Sequence, residues 1–301
     1  MTSVEADRGG PPLSEVTHRT VNLPGLRMHV VEAGSGEPVL LLHGFPQHWW
    51  EWRAILPTLA KSYHVIAPDL RGAGSTEAPS QGYHRGSLLA DVTALLDALG
   101  LDRVHVVAHD WSSIIGYQLC LLHPERVRSY VALGLHPFVN FDIRMMPGMW
   151  RLWFQPVIAI PGLGPRFLRH GQQRLARYLF RTGVARPDFW SAQDVELFIA
   201  QLREPARARA GSALYRNFIL PEIRAIMTGR YKRFRLTTPT VVLYGKAEGS
   251  IPTNLLGAVL GGTEKYADDL TLRIVDGAGH FIADEQPDVV VSEALTLFAR
   301  H

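Results

Sequence analysis

Asp110 stands between two stretches of opposite character. Val104 to Ala108 is apolar and β-branched, as in a buried strand. From Ser112 onward, Ile114, Ile115, Leu119, Cys120 and Leu122 fall on helical spacing. The join leaves room for one tight corner, with the small residues Ala108 and Ser112 two positions to either side. Such a corner lifts its side chain above the sheet edge, beside a helix N-terminus whose positive end favours an anion. A carboxylate in that place is ionised at neutral pH and can attack an sp3 carbon without a base. A serine would need deprotonation and suits acyl carbon. Two plainer readings compete: Asp110 as an ordinary helix N-cap, and Ser112 as nucleophile, which would set Ile114 where a β-branched side chain crowds the turn.

Two further groups sit where apolar strands end. His280 lies in Gly277-Ala278-Gly279-His280-Phe281, after the strand pattern Leu272 to Val275. Glu248 closes Tyr244-Gly245-Lys246-Ala247-Glu248, after Thr240 to Tyr244. A lone histidine is more often structural, and a single loop acid is commonplace. Three strand-end placements together form a set: a carboxylate nucleophile, an acid, and a histidine that the acid could orient to activate water.

The elements that must hold these groups are readable in order. Thr20 to Leu23 and Leu26 to Glu32 flank Pro24-Gly25, a hairpin signal. Pro38 to Leu42 and Tyr63 to Ala67 are strands, with a helix expected over Trp52 to Leu59. Leu88 to Leu99 is an amphipathic helix closed by Gly100. After the Asp110 unit comes the strand Tyr130 to Leu133, and a last helix is expected over Val289 to Arg300. Strand alternating with helix predicts a mostly parallel, doubly wound α/β sheet. The alternation breaks between about His136 and Arg235, where only helical segments punctuated by Pro147, Pro161, Pro165 and Pro187 occur. The reading is a core over 16–135 and 236–301, a helical lid over 136–235, and a flexible leader at 1–15.

Net charge over the 301 residues is +3, unevenly spread: 140–235 carries 17 Lys/Arg against 6 Asp/Glu, and the remainder 14 against 22. No nucleic-acid motif accompanies the basic surface, so no nucleic-acid partner is expected. The single cysteine, Cys120, excludes an internal disulfide. No apolar run reaches transmembrane length and Met1 to Val16 lacks a signal-like segment, so a soluble, cytoplasmic protein is expected.

The chain resembles the α/β-hydrolase superfamily over nearly its whole length, and within it the epoxide hydrolases. The resemblance is carried by His43-Gly44-Phe45-Pro46, Trp49-Trp50-Glu51-Trp52-Arg53, Ile66-Ala67-Pro68-Asp69-Leu70-Arg71-Gly72, His109-Asp110-Trp111, His123-Pro124-Glu125-Arg126-Val127 and Leu214-Tyr215-Arg216-Asn217. It implies an α/β-hydrolase fold, whose triad order is nucleophile, acid, histidine. It also implies Asp110 as nucleophile, His280 as base, Glu248 as its orienting acid, and Tyr215 as proton donor to the epoxide oxygen. The backbone N–H groups of Phe45 and Trp111 would form the oxyanion hole, and Trp150, His43 and Pro46 would contact substrate. Three departures stand out. Ala108 and Ser112 replace the usual glycines, Glu248-Gly249 replaces the usual Asp-Pro, and Trp150 stands where the family has the first of two lid tyrosines.

The expectation is a cofactor-free, metal-free epoxide hydrolase that gives a vicinal diol through an aspartyl ester. Its substrate would be lipophilic, to match the apolar lid. The alternatives are a haloalkane or haloacid dehalogenase, which shares the Asp and Trp111, and a non-enzymatic ligand-binding homologue. The same lid residues could instead pack on the core or make a homodimer surface.

Overall fold

The computed structural model describes residues 16–301, so the leader expected at 1–15 lies outside the described residues. Eight strands form one sheet: β1 (Thr17–Leu23), β2 (Leu26–Ala33), β3 (Glu37–Leu42), β4 (Tyr63–Pro68), β5 (Val104–His109), β6 (Val127–Leu133), β7 (Thr240–Gly245) and β8 (Leu270–Val275). Their order is β1-β2-β4-β3-β5-β6-β7-β8. β1 and β2 pair antiparallel around Pro24-Gly25, and β2 joins β4 antiparallel. The remaining pairs are parallel. Every residue of β5 is buried, as its unbroken apolar run demands once helices cover both faces.

The chain winds outward in one direction from β3 through β4 and in the other from β5 onward. The strand order therefore reverses between β3 and β5. Their carboxyl ends part around a crevice there, the place where open α/β sheets bind ligands. His43-Gly44-Phe45 leaves the end of β3 and Asp110 the end of β5, so the topology alone sets Phe45 opposite Asp110.

Helices behave as the sequence pattern indicates, with one difference. The helix Arg85–Ala98 ends before Gly100, whose φ of 67° is the left-handed value a helix stop needs. The last helix runs Pro287–Phe298, its proline at the start where the missing N–H costs nothing. The single helix expected over Trp52 to Leu59 is instead a 3-10 segment, Trp49–Ala54, followed by one helical turn, Leu56–Leu59. Pro57 has no N–H to continue the earlier turn, so the helix restarts there. Between β6 and β7 the described residues hold helices and no strand. No helix among them is long and apolar enough to cross a membrane.

Candidate active site

Asp110 occupies the corner with φ 56° and ψ −132°, a sparsely populated conformation for a residue with a side chain. Its backbone N–H is held by the Leu133 carbonyl at 3.2 Å. The carboxylate makes no capping bond to the helix Trp111–Leu122 that follows, so it is no ordinary N-cap. Ser112 is equally clear: its hydroxyl donates to the carbonyls of Leu42 and His109, both at 2.7 Å, and is fully buried.

The two oxygens of Asp110 have different surroundings. Oδ2 accepts the backbone N–H of Phe45 at 2.9 Å, while Oδ1 lies 3.7 Å from Nε2 of His280. Gly44 permits this approach, because a Cβ there would stand 2.8 Å from the Cβ of Asp110. Trp111 opens the helix with its backbone N–H among the free donors of the first turn. Its buried indole N–H has no partner among the described residues.

His280 is placed by its loop. Its N–H donates to the Gly183 carbonyl at 2.6 Å, and the preceding Gly279 N–H to Glu285 at 2.7 Å. Gly245, at the end of β7, lets the two strand-end loops close on each other, since a Cβ would fall 1.9 Å from the Gly279 carbonyl. Glu248 follows, with Oε1 3.7 Å from Nδ1 of His280. Both contacts of His280 are longer than a hydrogen bond, as catalytic contacts often are before substrate is bound.

A buried pair beneath the site ties these pieces together. Glu51, fully buried, lies 2.7 Å from Nδ1 of His109 and accepts the Gly44 N–H at 2.8 Å. His109 in turn donates from Nε2 to the His280 carbonyl at 2.8 Å. Burial works against charge on His109, but the Glu51 carboxylate, with Asp110 adding to it, outweighs burial and pushes the imidazole up to about 9. One ion pair thus links the loop after β3, the Asp110 corner and the His280 loop. The motifs contain both residues but assign neither a role; an acid set between tryptophans and a histidine closing an apolar strand are the only signal the sequence offers.

Tyr215 enters from the insertion. The helix Pro205–Leu214 continues as a π-helical stretch, Tyr215–Ile219, before a further helix, Leu220–Met227. Such bulges often mark functional positions. The Tyr215 ring meets Phe45 edge-on at 5.3 Å, and burial followed by the nearby Asp110 raises its phenol well above the ordinary value. It stays a proton donor throughout the usual pH range.

Asp110, Trp111, Phe45, Glu248, His280 and Tyr215 all border one largely apolar cavity of about 350 Å³. His43 and Pro46 do not border it, against the expectation of substrate contact. His43 is buried, donating to the Gly44 carbonyl and accepting the Leu70 N–H, both at 2.9 Å. Pro46 is buried, its carbonyl taken by Gln201. Trp150 borders the cavity but is 64 % exposed, with the Arg151 guanidinium over its ring at 5.9 Å, so it stands at the mouth. A second phenol that sequence reading passed over, Tyr178, also lines the cavity and accepts the Trp153 indole N–H at 3.0 Å. Among the described residues no His/Cys/Asp/Glu group is arranged to hold a metal.

The model of the alpha/beta hydrolase fold family matches residues 37–287. A soluble epoxide hydrolase of a Corynebacterium species is 29% identical, over 95% of this chain and 98% of its own. Epoxide hydrolase A of Mycobacterium tuberculosis is 31% identical, over 93% and 96%. Among solved structures, the epoxide hydrolase CorEH superposes with a TM-score of 0.78 at 28% identity, covering 95% of this chain and 99% of that one. Cfl2 of Burkholderia cenocepacia superposes with a TM-score of 0.81 at 28% identity, covering 98% and 100%.

Proposed function

The chain belongs to the α/β-hydrolase superfamily and, within it, to the epoxide hydrolases; from that premise we propose that it hydrates a lipophilic epoxide through an ester on Asp110. The single observation that carries this reading is the unequal treatment of the two Asp110 oxygens. Oδ1, on the His280 side and without a backbone donor, attacks an epoxide carbon. The new C–O ester bond forms as the ring C–O bond breaks, and Tyr215 gives its proton to the departing oxygen. A strained ring with a poor alkoxide leaving group needs that donor.

In the second half His280 takes a proton from water at Nε2, and the hydroxide adds to the ester carbonyl carbon of Asp110. Negative charge then collects on Oδ2, where the Phe45 N–H already points and the Trp111 N–H assists. Collapse breaks the ester, and the released alkoxide takes the His280 proton to complete the vicinal diol. The remaining proton returns to Tyr215 from solvent. Glu248 steadies the imidazolium. Residues 136–235 act in this reading as a lid that supplies Tyr215 and excludes water.

The decisive experiment is intact-protein mass spectrometry of His280→Gln mixed with styrene oxide, once the unsubstituted enzyme is seen to turn that epoxide over. The ester should accumulate as an adduct of substrate mass and be absent from Asp110→Asn. An unmodified His280→Gln protein overturns the ester mechanism. The dehalogenase reading has one observation in its favour, the unpartnered indole N–H of Trp111, a residue that borders the cavity. Phe45 offers no side-chain donor beside it. Bromide release from bromoalkanes at the epoxide rate, surviving Tyr215→Phe, would favour that reading instead.

A further inference from the structure

Between residues 141 and 153 five large apolar side chains stand open to solvent: Phe141, Ile143, Met146, Trp150 and Trp153, with Ile143 71% exposed. Exposed apolar groups are ordinary when scattered, but these are clustered on one short segment. Phe141 and Trp150 also border the cavity, as does Met227, itself exposed, so the apolar rim is continuous with the apolar interior. Trp153 is anchored through its indole to Tyr178, another residue of the cavity wall.

Each element bounding this rim carries arginine. Arg151 lies over the Trp150 ring. Arg174 and Arg181 are exposed and sit four before and three after Tyr178 in the helix Arg174–Thr182, hence on its face. Arg224 and Arg230 are exposed and flank Met227. The one carboxylate between 141 and 153, Asp142, is already taken by Arg144 at 2.6 Å.

We propose that this rim docks on an anionic lipid surface, the aromatic and aliphatic side chains entering the headgroup boundary while the arginines pair with phosphates. Indoles and apolar tips inserted among basic groups are what an interfacial surface requires, and each arginine near an anionic leaflet adds to the attraction. A second copy of this chain is the wrong occupant. A two-fold contact through this face would bring the same arginines against one another. The docked orientation opens the cavity mouth toward the phase in which a lipophilic molecule dissolves. The proposal rests on the surface and is independent of the reaction assigned to Asp110.

The test is co-sedimentation of the full chain with vesicles of phosphatidylcholine containing phosphatidylglycerol, against pure phosphatidylcholine, with sedimentation velocity of the protein alone. Binding should favour the anionic vesicles and weaken as salt rises. Arg174→Glu and Arg181→Glu should each weaken it by about fivefold or more. Ile143→Glu should also reduce it, while circular dichroism and turnover of a water-soluble epoxide stay unchanged. Equal binding to both vesicles, or none, overturns the proposal. So does a concentration-dependent dimer that Ile143→Glu abolishes, which would assign the face to a second copy.

Discussion

The sheet edge and the insertion solve opposite problems with the same kinds of residue. At the sheet edge, charge is buried and paired: Glu51 and His109 are sealed under Asp110, and their hydrogen bonds reach Gly44 on one side and His280 on the other. In the insertion, charge is abundant and mostly turned outward, with Arg207 and Glu222 the buried exceptions, and large apolar side chains accompany it into solvent. A buried ion pair costs desolvation, and what it returns here is position: the loop after β3, the Asp110 corner and the His280 loop are tied to one another. An exposed arginine costs little and holds nothing in place.

The sharpest break in that contrast comes from Glu51→Gln. It leaves a buried imidazole without its counter-charge, so stability should fall by about 3–5 kcal/mol, read as a lower urea midpoint at unchanged slope. Arg174→Glu in the insertion should move the same midpoint by no more than about 0.5 kcal/mol. Equal losses would erase the distinction between the two regions.

In the proposed mechanism Tyr215 is the insertion's contribution to chemistry, and Tyr215→Phe tests it. Loss of a donor to developing charge costs about 2.7–4 kcal/mol, a drop of about 10²–10³ in the rate of ester formation measured by single-turnover tryptophan fluorescence. Hydrolysis of the ester by His280 should change little. A variant that alkylates normally removes Tyr215 from the mechanism.

The buried pair also gives the molecule an alkaline limit. His109 titrates at about 9 in the folded chain, above the ordinary value of about 6.5 for an unfolded histidine. Its contribution is fully present below about pH 6.5 and is lost as pH rises through about 9. Melting temperature should accordingly decline over that window, and the decline should flatten in Glu51→Gln. A profile that is the same in both proteins would show that His109 does not carry the effect.

The smallest effect belongs to Trp150→Phe. A residue at the cavity mouth gives the reacting oxygen no donor, so the alkylation rate should stay within about twofold, the size of an ordinary surface change. A tenfold loss would bring the indole back to the oxygen and make the rim part of the chemistry.

Much of the scaffold was legible in the residues themselves. The strands announced themselves as short β-branched runs, Pro24-Gly25 as a hairpin, and Gly100 as a helix stop, because these signals depend on backbone geometry within a few residues. The corner at Asp110 was legible for the same reason: strand, small residues and helix are contiguous. Pro57, which divides an expected helix, was a local signal passed over.

What the sequence determined by itself is thus the alternation of elements, the corner that lifts Asp110, and the strand ends that present Glu248 and His280. Only the tertiary structure decided which way side chains leave the loops. His43 turns inward to Leu70, Pro46 is buried off the cavity, and Trp150 stands out in solvent, although all three lie in motifs that suggested substrate contact. The pairing of Glu51 with His109 belongs to the same class. Backbone conformation is set by neighbours along the chain, whereas a side chain's partner is set by whatever the fold brings beside it, and packing at that scale has no signature in local pattern.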